Sequence, residues 1–237
     1  MKYFNSCKKN FILQIIIVFQ INSVDLTIIG SIWPSDGLGK IAINLIEALK
    51  DDLTINWKSA QNQLPIYEDL SLDVKKIIDM GYKESGKVSL LTDIPWCRWS
   101  TLANNVPNDS IIKIAYSMLE ANKIPKEWVD IFNNNFDIIV VPDDYYKIVY
   151  NKSGIKIPIF VLPMLMNLDK FLNIEIKTKK NTPFVFGNIS SVWPHKNIEL
   201  LIRAFGKAFG KDQNVELIIN TRHVSSDNHI EKVLKKK

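Results

Sequence analysis

Cysteine is nearly missing, with only Cys7 and Cys97 in 237 residues. No CxxC occurs, and no His/Cys cluster has metal-ligand spacing. A disulfide framework is excluded, and no metal site is expected. Histidine is as scarce: His195, His223 and His229 give Cys97 no recognisable base for nucleophilic work, so Cys97 is read as a packing residue. Nine glycines and ten prolines exclude collagen-like and linker-like chains. Long apolar runs are also absent, which excludes a polytopic membrane protein. What is there is ordinary globular material, 46% hydrophobic and 23% charged, in a chain long enough to bury a large core without staples.

The net charge of +5 is a property of the ends. Lys2, Lys8 and Lys9 lie at one terminus, and Lys232, Lys235, Lys236 and Lys237 at the other. Without them, 23 basic residues face 25 acidic ones. The body carries no basic stripe interleaved with aromatics, so nucleic acid is not an expected partner. The basic tails leave a contact with an anionic membrane surface open. Residues 1–23 stand apart. Three lysines precede the apolar stretch from Phe11 to Ile21, a length that suits the core of a signal peptide and falls short of a membrane span. A signal or anchor and an extra buried element are both open readings of it.

From Leu26 onward, β-branched runs alternate with helical patterns. Leu26–Ile32 reads as a buried strand, followed by a loop holding Gly37 and Gly39. A helix is expected from Lys40 to Lys50, with Ile41, Leu45, Ala48 and Leu49 on one face. Further strands are expected over 87–91, 111–116, 137–141 and 158–162, and helices over 72–80, from Pro125 as first helical residue, and from an Asp143 or Asp144 cap through Tyr150. Such alternation implies a mostly parallel sheet covered by helices. A polar connector, 173–182, separates a second series: strand 183–187, a helix face at Ile198, Leu201, Ile202, Phe205 and Phe209, strand 215–219, and a helix starting near Asp227. The expected domains are therefore 24–172 and 183–237. Two strands and about two helices are too few for an independent doubly wound domain, so the second series must pack on the first, pair with another chain or remain marginal.

Three stretches carry a family resemblance. The first is Gly30-Ser-Ile-Trp-Pro-Ser-Asp-Gly-Leu-Gly39 with its helix. The second is Ser117-Met-Leu-Glu-Ala-Asn-Lys-Ile-Pro-Lys-Glu-Trp128, continued by the strand ending in Pro142, Lys152-Ser-Gly-Ile155 and Val161-Leu-Pro163. The third is Phe186-Gly-Asn-Ile-Ser-Ser-Val-Trp-Pro-His-Lys-Asn197, followed by Ile202-Arg-Ala-Phe205. In order and spacing they resemble the GT-B glycosyltransferases of the group 1 (GT4-type) family over roughly residues 26–221. The resemblance implies an α/β GT-B-like fold, with one complete doubly wound Rossmann-like N-terminal domain on the acceptor side and the first part of a second, donor-side one. It implies transfer of a sugar from a nucleotide-sugar donor to a glycan or lipid acceptor, with retention, without a metal and without a cofactor beyond the donor itself.

By the same resemblance, Lys196 binds the donor diphosphate, with Asn188, Gly37 and Gly39 beside it in a crevice between the lobes. Glu120 is the candidate catalytic residue, positioning the acceptor. A charge developing on a departing nucleoside diphosphate needs backbone N–H groups at helix amino termini and a cation, which suits these residue types. The sequence departs from the family at two points: Asn188 stands where the family has Arg, and Met164-Leu-Met-Asn167 stands where it has Gly then Asp. The family's donor-sugar acidic motif is not among these residues. The chain is accordingly expected to be C-terminally truncated, with a separate chain completing the second domain or, as the alternative, to be a non-catalytic relic or interaction module. A cytoplasmic location is expected with the donor, and export if the N-terminal segment is a leader. A nicotinamide-binding reading of Gly37-Leu-Gly39 is disfavoured. Its loop is long, and Trp57 stands about where an acidic ribose ligand should fall.

Overall fold

A computed structural model describes residues 24–34, 36–60, 64–96, 101–166, 168–175, 183–190, 196–210 and 212–221. The expectations for residues 1–23, Cys97, Trp193, His195 and the helix near Asp227 lie outside these residues. The chain divides into two compact units, Met1–Lys170 and Phe171–Lys237, a division just ahead of the polar connector at 173–182.

In the first unit the β-branched runs become strands: β1 Leu26–Ile29, β2 Ile55–Lys58, β3 Val88–Leu91, β4 Ile112–Tyr116, β5 Ile138–Val141 and β6 Ile159–Val161. They form one six-stranded sheet in the order β2-β1-β3-β4-β5-β6, with every neighbouring pair parallel. The helices between them are α1 Gly37–Leu49, α2 Leu72–Met80, α3 Lys126–Asn135 and α4 Asp144–Ser153. A short 3₁₀ turn, Leu102–Asn105, links β3 to β4. This is a Rossmann-like α/β architecture.

Side-chain alternation along the strands builds two cores. Leu26, Ile28, Leu90, Ile114 and Val140 pack with Ile41, Leu45, Ile46 and Leu49 of α1 and Val74, Ile77 and Ile78 of α2. Their neighbours Ile29, Leu91, Ala115, Ile139 and Val141 pack with Trp128 and Phe132 of α3 and Val149 and Tyr150 of α4. Burial on both faces explains why most of the strands read as largely apolar, with single polar interruptions such as Thr27 and Ser89. Trp128, Phe132, Phe136 and Tyr150 form a ring cluster, with centroids 5.9 to 6.2 Å apart from Phe132 outward. Trp128 is thus a core residue.

Several boundaries differ from the sequence reading. Helix α1 begins at Gly37, not near Lys40, because the Asp36 carboxylate caps it and draws both glycines into the first turn. Pro125 is the N-cap of α3, with extended backbone (φ −57°, ψ 149°), so helical geometry starts one residue later at Lys126. Asp143 does cap α4, accepting from Tyr146 N. Strand β2 was not anticipated, since Ile-Asn-Trp-Lys is short and mixed in polarity.

A short helix, α5 Asp169–Leu172, spans the division, and the second unit then holds β7 Phe184–Ile189, α6 Ile198–Phe209 and β8 Val215–Asn220. The two strands pair in parallel, so the described residues of this unit form a single βαβ. Phe186 contacts Phe205 and Phe209 of α6, with centroids 5.9 and 5.3 Å away.

Candidate functional site

In a parallel sheet all strands end at one edge, and ligands collect there where neighbouring strands send their chains in opposite directions. That point in the first unit lies between β1 and β3: β1 leads out to β2 on one side, and β3 leads to β4 on the other. Gly30 and Ser31 follow β1, and Thr92 and Asp93 follow β3. Ser31 Oγ donates to Asp93 Oδ2 at 3.0 Å, and Ile94 N donates to Asp93 Oδ1 at 2.8 Å. Asp93 is only 3% exposed. Gly30 is needed here, because a Cβ on it would lie 2.2 Å from Thr92 Oγ1. Trp57 Nε1, from β2, donates to Gly30 O at 2.9 Å. This linked group of strand ends was not anticipated from the sequence. Its signal is the order of the strands, which cannot be worked out while β2 goes unread.

The glycine loop sits beside it. Asp36 Oδ2 accepts from Leu38 N at 3.0 Å and Gly39 N at 3.2 Å. The backbone donor of Gly39 therefore already has an anionic partner from within the chain. A Cβ at Gly39 would lie 2.5 Å from Trp33 O and 2.6 Å from Trp33 N, so this glycine lets the loop pass over the helix start. Gly37 has open space where its Cβ would be.

Glu120 is exposed in the turn after β4, at the same edge. Its charge reaches Tyr146 of α4, whose phenol is pushed up by burial first, then by Glu120 and Asp143. Deeper in, Ser117 and Tyr150 share a hydrogen bond at 2.9 Å, and Tyr116 Oη donates to Leu162 O at 2.8 Å. Burial raises the Tyr150 phenol to about 12, against a smaller opposing effect of the Ser117 hydrogen bond. The Tyr116 phenol is also pushed well up by burial.

In the second unit, Asn188 lies near the end of β7, where its Oδ1 accepts from Ser190 Oγ at 2.8 Å. Gly187 before it has open space around its missing Cβ. Lys196 is exposed and directly precedes Asn197, the N-cap of α6. Asn197 adopts left-handed backbone (φ 49°, ψ 46°), a conformation Asn tolerates, and its own side chain makes no capping hydrogen bond. The amino termini of α1 and α4 are closed by Asp36 and Asp143, whereas among the described residues no side chain caps that of α6. In its first turn Glu199 pairs with Arg203.

The structure thus places Gly37, Gly39 and Glu120 at the carboxyl edge of the first sheet, and Asn188 and Lys196 around the β7–α6 turn of the second unit. Among the described residues, no group of three or more His, Cys, Asp or Glu is arranged to hold a metal ion, and no helix is long and apolar enough to cross a membrane. Compared with known proteins, the chain matches no family model and no curated protein.

Proposed function

We propose that the chain is a GT-B-type glycosyltransferase protein, its first unit the acceptor-side lobe and its second the opening of the donor-side lobe. The observation that carries this reading is the start of α6, where the N-cap residue Asn197 makes no side-chain capping hydrogen bond and Lys196 stands directly ahead of it. Helix amino termini attract anions, and an ammonium group beside one adds a full charge. The all-parallel first sheet, with its crevice position between β1 and β3, supports the acceptor-side assignment.

In the proposed reaction the bond between the anomeric carbon and the diphosphate oxygen breaks. The nucleoside diphosphate leaves with the electron pair, and the acceptor hydroxyl oxygen bonds to that carbon and gives its proton to the departing diphosphate oxygen. Lys196 and the leading N–H groups of α6 stabilise the departing diphosphate. Asn188 supplies a neutral amide donor, and Glu120 orients the acceptor hydroxyl. Gly37 and Gly39 shape the first loop, and Asp36 takes up the helix donors there. A nucleotide-sugar and a glycan or lipid are the partners on this reading, in the cytosol, where the donor is found.

Calorimetry with UDP and GDP at up to millimolar concentration tests the reading. Saturable binding of either, lost in Lys196→Ala, is the expected result. No binding of either nucleotide overturns it. A second reading, an interaction module without turnover, is favoured by the carboxylate caps Asp36 and Asp143, which close two helix amino termini of the first unit to anions. Binding without any sugar transfer or donor hydrolysis would select it.

A further inference from the structure

A packed tyrosine normally finds a partner for its hydroxyl. Tyr67, Tyr82, Tyr116 and Tyr150 each place theirs in a hydrogen bond. Tyr145 and Tyr146, side by side in the first turn of α4, make no such bond among the described residues. Their rings stand edge to face, with centroids 5.9 Å apart and planes at 76°. Tyr145 is 56% exposed and Tyr146 half-buried. Helical side chains lean toward the amino terminus of their helix, which for α4 is the carboxyl edge of the sheet. Glu120 lies at the same edge, in the turn after β4, the neighbour of β5. Its charge reaches the Tyr146 phenol, as does that of Asp143, whose carboxylate is taken up by the cap of α4.

The arrangement is held from below. Ser117 Oγ and Tyr150 Oη share a hydrogen bond at 2.9 Å, and Ser117 N donates to Val140 O at 2.9 Å. Ser117 leads into the turn that carries Glu120, and Tyr150 lies one helical turn beyond Tyr146. Leu119 and Tyr146 pack on the same core cluster. The turn and the helix start are therefore set rigidly beside each other. At their rim stand two phenolic hydroxyls and a carboxylate that nothing among the described residues takes up.

Resting on the glycosyltransferase reading, we propose that Tyr145, Tyr146 and Glu120 form the acceptor's sugar subsite, so that the group bound here is a glycan and not a lipid. The Tyr146 hydroxyl and the Glu120 carboxylate bind hydroxyl groups of one sugar ring, the carboxylate accepting. The Tyr145 ring meets a C–H face of that sugar. A hydrocarbon chain would leave both polar groups desolvated and unpaired, and Glu120 would repel an anionic headgroup.

Amide shifts of the ¹⁵N-labelled full chain test it, with maltotriose, cellotriose and mannotriose as neutral probes and UDP and GDP titrated separately. The expected result is a saturable shift at Glu120, Tyr145 and Tyr146 with at least one trisaccharide. Tyr146→Phe and Glu120→Gln should each weaken it about tenfold, the effect of one lost hydrogen bond. Tyr146→Phe removes a hydroxyl that bonds nothing in the fold, so an unchanged melting temperature separates lost binding from lost folding. No trisaccharide shift at these residues overturns the inference, as does a shift undiminished in both variants. A shift there only with phosphatidylglycerol vesicles, or only with a lysine-rich peptide, overturns it too. Nucleotide binding is read at α6, so the two readings fail separately. Shifts at α6 without shifts at α4 sink the sugar subsite alone, and shifts at α4 without shifts at α6 sink the transferase reading alone.

Discussion

Gly37 and Gly39 sit two positions apart and have opposite surroundings. A methyl group at Gly39 would drive into the Trp33 backbone, 2.5 Å from its carbonyl oxygen, whereas one at Gly37 meets nothing within 4 Å. Gly39→Ala should therefore destabilise the protein by about 1–3 kcal/mol, as overpacking against backbone does. Gly37→Ala should be neutral or stabilise by up to about 1 kcal/mol through reduced freedom of the unfolded chain. Thermal or urea unfolding of the two variants distinguishes them. Tyr150 gives a pH-dependent prediction. Its phenol is raised from 10.0 to about 12 in the fold, mainly by burial, so the folded state holds the proton more tightly than the unfolded chain does. The stability this represents is complete below pH 10 and is lost as pH rises through the folded value. Tyr150→Phe should make the melting temperature fall less steeply between pH 10 and 12 than in the wild type. A slope unchanged by the substitution would count against the assignment.

Caps decide how the helix starts behave. Asp36 holds two N–H groups of α1, so Asp36→Ala should cost about 0.5–2 kcal/mol of stability and at the same time expose those donors. If the account is right, Asp36→Ala strengthens rather than weakens any binding of inorganic phosphate near α1, visible as shifts of the Leu38 and Gly39 amide signals. At this scale much was legible in advance. The strands at 26–29, 88–91 and 138–141 were readable because burial on both faces favours near-continuous apolar runs, with only Thr27 and Ser89 interrupting, and the helix expected over 72–80 is α2, capped by Ser71 with Val74, Ile77 and Ile78 on its buried face. What escaped was set by tertiary context. Strand β2 alternates Ile55 and Trp57 with Asn56 and Lys58, but four residues are too short a run for that period to stand out. The start of α1 depends on where the Asp36 carboxylate points. The Ser31–Asp93 contact joins residues 62 apart, and only the strand order brings them together. The first-domain candidates Gly37, Gly39 and Glu120 come from motif order alone, which carries no information on their surroundings.

At the scale of the whole molecule the two units differ in how much they bury. The first has two cores flanking a six-stranded sheet. Among its described residues the second has one helix on a two-stranded sheet, with Phe184 and Ile189 largely exposed. Opening free energy follows buried apolar contact, so β7 and β8 amides should exchange faster than those of β1, β3 and β4. Hydrogen exchange read by mass spectrometry checks this, and equal protection across both units would contradict it. The central claim concerns which helix amino terminus receives the diphosphate. Titrating the ¹⁵N-labelled chain with UDP and GDP tests it most directly. The account predicts saturable amide shifts at Lys196, Ile198 and Glu199 that vanish in Lys196→Ala, with Leu38 and Gly39 unmoved. Shifts centred on Leu38 and Gly39, or no saturable shift at α6 with either nucleotide, would contradict it.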